Sequence, residues 1–253
     1  MTSTLERSSD PGPVNESPQA LLQVRDVVAG YGETTVLHGI SFDVPAGGVV
    51  ALLGPNGAGK TTTLRAVSGL LRPTSGSVRL AGEEISRIKP HKLVRKGMCH
   101  IPESRGVYPS LTVRENLTLH TWQRDKKMAV ERAVDNFPIL GKKLDQPAGE
   151  LSGGQQQMLA VVRSYIADPK LVLVDEVSMG LAPVVVDEIY EFLATLAKQG
   201  TALLLVEQYV ARALAVATSV ILLTKGHVAF QGAPSEVADD VFEHYMGAGA
   251  GEH

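Results

Sequence analysis

The chain has 253 residues, of which 44% are hydrophobic and 20% are charged, and its formal net charge is -3. This balance is typical of a soluble globular protein, and because it gives no overall basic field it disfavours nucleic acid as a partner. The single cysteine, Cys99, excludes an internal disulfide and favours a reducing compartment, where we expect it to be a small buried residue.

The first part of the chain predicts a polar tail followed by an antiparallel β-layer. Residues 1–20 mix Ser, Thr, Pro and acidic residues without the apolar core of a signal peptide, so we expect a disordered tail and no secretion. Residues 22–28 and 36–44 have strand patterns separated by a glycine turn, and a third short strand is predicted at 77–82. Every apolar run is too short to cross a bilayer, so a membrane role requires a partner.

A glycine-rich segment that follows the apolar run 49–53 fits the phosphate-binding pattern GxxxxGK[ST]; it reads Gly54-Pro55-Asn56-Gly57-Ala58-Gly59-Lys60-Thr61. Glycines let backbone N–H groups surround a polyphosphate, the lysine adds a positive charge, and the threonine hydroxyl can ligate Mg²⁺. The helix predicted at 62–67 places the phosphates at a helix N-terminus. The sequence therefore predicts a nucleoside triphosphate site, which kinases, GTPases, motors and transport ATPases share.

Residues 111–166 change from strand patterns to helical periodicity. Three helical segments are predicted, at about 113–121, 128–137 and 155–165. We therefore expect a helical lobe in the middle of the chain.

The second half predicts a parallel sheet. Residues 171–174 and 202–206 are continuous apolar runs that end in acidic residues, as in strands buried on both faces, and a helix at 185–197 joins them. A hairpin is predicted from 220–223 and 228–230, followed by a short helix at 238–246. Ligands of such sheets bind at the carboxyl ends of the strands, where Gly54, Asp175 and Glu207 are predicted to lie.

An acidic pair ends the strand at 171–174. Successive side chains leave an extended backbone in different directions, so Asp175 can hold Mg²⁺ through water while Glu176 polarises a water aimed at the γ-phosphate. The alternative interpretation is an acidic pair that caps the next helix. With a phosphate loop in the same chain, we assign Asp175 to the metal and Glu176 as the general base.

The segment Leu151-Ser152-Gly153-Gly154-Gln155 precedes the helix at 155–165, so Ser152 is predicted to be its N-cap. Together with the phosphate loop upstream and Asp175-Glu176 downstream, it resembles the three-part pattern of the ATP-binding cassette (ABC) ATPases. The resemblance covers nearly all of residues 21–247. It implies an α/β fold, a P-loop NTPase core of the RecA-like kind with an antiparallel β-subdomain and a helical subdomain at about 104–166. Residues 248–253 are expected to form a C-terminal tail.

The resemblance also implies roles for individual residues. In that family two cassettes pair head to tail, so that the signature of one chain covers the ATP held by the phosphate loop of the other. Tyr31 resembles the aromatic that stacks on adenine, although an ordinary surface aromatic would have the same pattern. The implied ATP-binding set is Tyr31, Gly54, Pro55, Asn56, Gly57, Ala58, Gly59, Lys60, Thr61, Thr62, Glu103, Ser152, Gly153, Gly154 and Gln155, the implied catalytic set is Glu176, Lys60 and Gln208, and the implied Mg²⁺ set is Thr61, Asp175 and Glu103.

Several positions depart from the general ABC pattern. Glu103 stands where most members have glutamine, Gln208 where most have histidine, and Val177 where most have proline. Gln208 can still donate a hydrogen bond to phosphate, worth about 1.5 to 3 kcal/mol. A carboxylate at Glu103 about 5 Å from a phosphate charge would be repelled by about 3 kcal/mol, unless Mg²⁺ or Arg105 neutralises it. We therefore expect Glu103 to face Mg²⁺ or to pair with Arg105, and to couple the ATP state to the junction of the lobes.

These departures, with the runs 180–183 and 206–208, resemble the LivF-type ATP-binding subunit of branched-chain amino acid importers. That resemblance implies a peripheral ATPase on the cytoplasmic face of the cell membrane. It also implies a second ABC ATPase subunit, of the same or a different chain, two membrane-spanning permease subunits and an extracytoplasmic solute-binding protein. The alternatives are an importer of urea, amides or another solute, a soluble ABC ATPase outside transport, and a nucleotide-binding regulator with feeble turnover.

Overall fold

The structure is a computed structural model that describes residues 20–104, 106–119, 125–207 and 210–237. Residues 1–19 of the predicted N-terminal tail, the predicted C-terminal tail, the helix at 238–246 and the end of the first predicted helical segment, at 120–121, lie outside these ranges. The predicted tail is one residue too long, because Ala20 pairs in β1. In chain order the strands are β1 Ala20–Tyr31, β2 Thr34–Pro45, β3 Val49–Leu53, β4 Ser75–Leu80, β5 Glu83–Glu84, β6 Met98–Ile101, β7 Leu171–Asp175, β8 Ala202–Val206, β9 Ser219–Thr224 and β10 His227–Gly232. The α-helices are α1 Lys60–Val67, α2 Pro90–Arg95, α3 Val113–Thr118, α4 Lys126–Asn136, α5 Pro138–Gly141, α6 Gly153–Ile166, α7 Pro183–Lys198 and α8 Val210–Val216.

Two sheets organise these strands, and together with the helices they confirm the predicted α/β class. The smaller sheet is antiparallel and has the order β2-β1-β4-β5. The larger sheet has the order β10-β9-β3-β8-β7-β6, in which only β10 runs antiparallel to its neighbour. Every residue of β3, β7 and β8 is buried, because helices or the second sheet cover both faces.

The pleat of the larger sheet directs successive side chains to its two opposite faces. Leu52, Leu173 and Leu204 point into the core shared with the small sheet and α1. Val172 and Leu203, one residue away in the same strands, point into the core shared with α3, α6 and α7. Period-two alternation therefore lets continuous apolar runs serve both layers.

Some elements have no counterpart among the predictions. Strand β6 extends the larger sheet beside β7, and Cys99 in β6 is buried as expected. Burial raises the pKa of the Cys99 thiol to about 12, so the thiol stays protonated. In the part of the chain that the structure describes, no helix has both the length and the apolar character needed to cross a membrane.

Candidate functional site

The phosphate loop connects the end of β3 to α1, and two of its glycines are required by close contacts. Gly54 has φ 153°, and a Cβ atom there would lie 2.2 Å from the carbonyl oxygen of Leu223. Gly59 has φ 105°, and a Cβ atom there would lie 2.8 Å from Leu37 Cδ2. Any larger residue would displace backbone or core atoms, so the loop keeps its shape only with glycine at both positions.

Lys60 begins α1 and is only 7% exposed. Its Nζ donates hydrogen bonds to the carbonyl oxygens of Gly54 at 2.9 Å and Pro55 at 3.1 Å. Burial lowers the pKa of Lys60, while Glu176 and Asp175 oppose that shift. The ammonium group thus lies inside the loop, where a polyphosphate would offer it anionic partners in place of neutral carbonyls.

Asp175 closes β7 and lies directly beside the start of α1. Thr61 Oγ1 donates to Asp175 Oδ1 at 3.2 Å, and Asp175 is only 3% exposed. Burial raises the pKa of Asp175 to about 6, the hydrogen bond from Thr61 opposes that shift, and the charges of Glu176 and Glu103 add to it. A cation at this position would offset the cost of the buried carboxylate.

The donors near Asp175 fit Mg²⁺. They are oxygens of a hydroxyl and of carboxylates, which hard cations prefer, and Glu103 is close enough to raise the pKa of Asp175. Over the described ranges, no group of three or more His, Cys, Asp or Glu side chains could hold a metal ion without other ligands. A site of this kind suits Mg²⁺, which binds through one or two carboxylates together with substrate phosphates.

Glu176 follows Asp175 in an unusual backbone conformation. Its φ of 46° is left-handed, which costs a residue other than glycine about 1 to 3 kcal/mol. Its N–H donates to the carbonyl oxygen of Val206 at 2.9 Å, which holds the turn against β8. The turn directs Glu176 to a cleft of about 410 Å³ that Glu103, Gln156, Gln157 and Val177 also line.

Tyr31 ends β1 and is 44% exposed. Arg65 Nη1 in α1 donates to the Tyr31 hydroxyl at 3.0 Å, and the guanidinium carbon lies 6.0 Å from the ring centroid. Such a contact is typical of a cation–π pair and restrains the ring. Tyr31 therefore presents an oriented aromatic surface beside α1, the helix that begins with Lys60. Arg65 is a partner that sequence patterns do not reveal.

The signature segment begins α6, and the predicted N-cap is confirmed. Ser152 Oγ accepts from the N–H of Gln155 at 3.3 Å, and Gln155 Oε1 accepts from the N–H of Ser152 at 3.2 Å, which is a capping box. A Cβ atom on Gly154 would lie 2.9 Å from Val185 Cγ1, so the missing side chain lets α6 approach α7 closely. The side chains of Ser152 and Gln155 thus bond to backbone groups in the first turn of the same helix.

The structure thus brings Lys60, Thr61, Asp175, Glu176 and Glu103 to one edge of the larger sheet. Gln208 and Arg105 lie outside the described residues, so their expected roles stay predictions. Val177 is buried among the residues that pack on the helical lobe.

Comparisons with known proteins agree with this geometry. Residues 37–179 match a family model described as ABC transporter. The chain is 37% identical to the high-affinity branched-chain amino acid transport ATP-binding protein BraG of Pseudomonas aeruginosa, over 90% of this chain and 100% of that protein. It is 34% identical to the probable branched-chain amino acid transport ATP-binding protein LivF of Archaeoglobus fulgidus, over 87% and 94%.

One relative and one solved structure broaden the comparison. The Nod factor export ATP-binding protein I of Paraburkholderia xenovorans is 36% identical, over 89% of this chain and 77% of that protein. A crystal structure of the ADP conformation of an ATP-binding cassette of an ABC transporter aligns with a TM-score of 0.77 and 26% identity, over 92% of this chain and 100% of that chain.

Proposed function

The chain belongs to the ABC transporter family as one of its ATP-hydrolysing subunits, and we propose that the transporter it powers imports branched-chain amino acids. The observation that carries the choice of solute is the similarity to BraG along that protein's whole length. The similarity to the Nod factor export protein covers only 77% of that protein. The amino acid transport relatives are therefore the better basis for choosing the solute.

Hydrolysis proceeds in this proposal at the edge of the larger sheet. The N–H groups of the phosphate loop and the Lys60 ammonium hold the phosphates, and Tyr31 stacks on adenine. Glu176 accepts a proton from the attacking water, which makes the water a better nucleophile toward the γ-phosphate. Gln208 donates a hydrogen bond to the γ-phosphate.

Thr61, Asp175 and Glu103 would hold Mg²⁺, which would supply positive charge to offset the charge of the phosphates. This arrangement also removes the repulsion between Glu103 and the phosphates. Asp175 binds the cation only as a carboxylate, so its proton must leave first.

A second ATPase subunit, of the same or a different chain, completes the site. Its segment equivalent to 152–155 would cover the triphosphate on this chain's phosphate loop, and this chain's Ser152, Gly153, Gly154 and Gln155 would do the same in return. Closing the two chains around ATP, and reopening them after hydrolysis, moves the helical lobe at about 104–166 within the ATPase domain 21–247. Two membrane-spanning permease subunits receive that motion at the cytoplasmic face, and an extracytoplasmic protein delivers the solute.

Uptake by intact cells tests the solute. Deleting the gene is expected to abolish uptake of labelled leucine, isoleucine and valine while leaving labelled urea uptake unchanged. Restoring the wild-type gene recovers uptake, and restoring Glu176→Gln does not. Loss of urea uptake with normal leucine uptake would contradict the proposed solute but not the assignment of the chain as an ATPase subunit.

A further inference from the structure

A buried carboxylate at the carboxyl end of β8, next to the end of β7, has no part in the proposed chemistry. Glu207 follows β8 and is 1% exposed. Ser178, in the loop after β7, is also 1% exposed, and its hydroxyl donates to Glu207 Oε2 at 2.5 Å. Because β7 and β8 are neighbours in the sheet, this hydrogen bond ties together the segments that leave their carboxyl ends.

The loop held in this way is the one that carries Glu176. The pairing of β7 with β8 ends at Asp175 and Val206, and the N–H of Glu176 then bonds the carbonyl oxygen of Val206. Glu176 is left-handed at φ 46°, a conformation that persists in a residue other than glycine only where the surroundings hold it. The bond from Ser178 to Glu207 is the next attachment along the loop, two residues later.

Helix α7 covers the carboxylate from another side. Tyr190 is 6% exposed, and burial together with the negative charge of Glu207 raises the pKa of its hydroxyl. A carboxylate in such a place is costly to bury and contributes little net stability even when it is hydrogen-bonded. What it supplies is a strong, directional acceptor for the Ser178 hydroxyl.

We propose that Glu207 is a positioning residue for ATP hydrolysis: through the Ser178 hydroxyl it holds the loop 176–181 so that the Glu176 carboxylate faces the cleft. The proposal rests on the role given to Glu176 under the proposed function. Glu207 itself touches neither ATP nor water in this account, so its effect is confined to the hydrolysis rate. The phosphate loop meets this region before Glu176, through the bond from Thr61 to Asp175, whereas the bond from Ser178 to Glu207 lies after Glu176.

A double-mutant cycle on the full chain tests this. Ser178→Ala and Glu207→Leu are each expected to lower kcat for ATP about tenfold without changing the dissociation constant for ATP, since the first removes the donor and the second the acceptor of the bond between the two side chains. Because both act through the same bond, the double variant is expected to lose about tenfold as well and not about a hundredfold. Ser164→Ala is the matched control, since it removes another buried hydroxyl, whose partner is the carbonyl oxygen of Val161 in α6. Its kcat is expected to stay at the wild-type value.

Three outcomes would overturn the proposal while leaving the role of Glu176 in place. The first is a kcat within twofold of wild type for Ser178→Ala, and the second is multiplicative losses in the double variant. The third is an equal loss in Ser164→Ala, which would indicate general destabilisation. A wild-type chain that hydrolyses ATP, with Glu176→Gln equally active, would remove the proposal together with the role of Glu176. A wild-type chain without hydrolysis would instead contradict the ATPase site itself.

Discussion

The phosphate loop and the signature segment are both polar stretches at the start of a helix, but they differ in how far along the chain their bonding partners lie. Around the phosphate loop, distant parts of the chain converge: Lys60 and Asp175 are buried, and the bond from Thr61 to Asp175 spans 114 residues. At the signature, Ser152 and Gln155 bond each other across three residues. One region is a site assembled by tertiary structure, whereas the other is a local helix start that, in the proposed function, joins a site only on a second chain.

The largest loss is expected when the proposed general base is removed from the site at the phosphate loop. Glu176→Gln keeps the shape of the side chain but cannot accept a proton, so hydrolysis is expected to fall about 10² to 10⁴-fold while ATP affinity stays unchanged. Phosphate release and equilibrium binding of ATP measure the two quantities separately. Near-normal turnover would take the base role away from Glu176.

The signature can be tested against a helix start of the same construction. Thr112 and Glu115 form a capping box at α3 like that of Ser152 and Gln155 at α6. Ser152→Ala and Thr112→Ala are each expected to lose about 1 kcal/mol of unfolding free energy, because each removes an N-cap. Only Ser152→Ala is expected to lose hydrolysis as well, by about 10²-fold, the scale for removing one donor to transition-state charge.

Denaturant unfolding and phosphate release on the same two proteins separate these effects. Equal activities for Ser152→Ala and Thr112→Ala would mean that Ser152 acts only as a helix cap.

The buried carboxyl group of Asp175 predicts that the stability of the protein depends on pH. Because the pKa of Asp175 is raised from 3.8 to about 6, the folded chain holds a proton that the unfolded chain has already released. Without Mg²⁺ and nucleotide, stability is therefore expected to fall by about 2 to 3 kcal/mol as pH rises from about 4 to about 6. Asp175→Asn removes this loss and is expected to be the more stable protein at neutral pH.

Denaturant unfolding in EDTA at several pH values measures the difference. Asp135→Asn, which removes an exposed carboxylate on α4, is the control and is expected to follow the wild-type profile. The same profile for Asp175→Asn and wild type would contradict the burial argument.

The smallest expected effect concerns the base-stacking surface. Tyr31→Ala is expected to weaken ATP binding about tenfold, the scale for one base stacked on an aromatic side chain. Tyr108→Ala is the control, since Tyr108 is similarly exposed at 46% and also has an arginine over its ring, Arg163 at 5.2 Å. Equal ATP affinities in the two variants would mean that Tyr31 is an ordinary surface aromatic with no role in binding adenine.

The same contrast explains what the sequence could predict. The phosphate loop and the Ser152 cap are recognisable because spacing within a few residues determines them. The apolar runs of β7 and β8 predict buried strands because both faces are covered. Strand β6 escapes prediction because its four residues include His100 and Cys99 and have no clear strand pattern, so its place is set by pairing with β7.

Contacts between distant segments left no local signal. Ser178 and Glu207 are 29 residues apart, and Arg65 and Tyr31 are 34 apart, so only the folded chain shows that each pair meets. For Glu207, the position just after a buried strand indicated the correct edge of the sheet but not the partner. Side chains that position the residues of a site are therefore harder to predict from the sequence than the motif by which the site is recognised.

In the proposed function, one complete site takes its phosphate loop from one chain and its signature from another. Mixing full-length Lys60→Ala with full-length Ser152→Ala tests it directly, since each variant alone lacks a complete site. In a mixed pair, one site has both defects and the other has neither, so an equal mixture is expected to recover about a quarter of the wild-type rate of ATP hydrolysis. A mixture that hydrolyses ATP no faster than the mean of the two separate variants, at concentrations where the wild type is active, would contradict the claim.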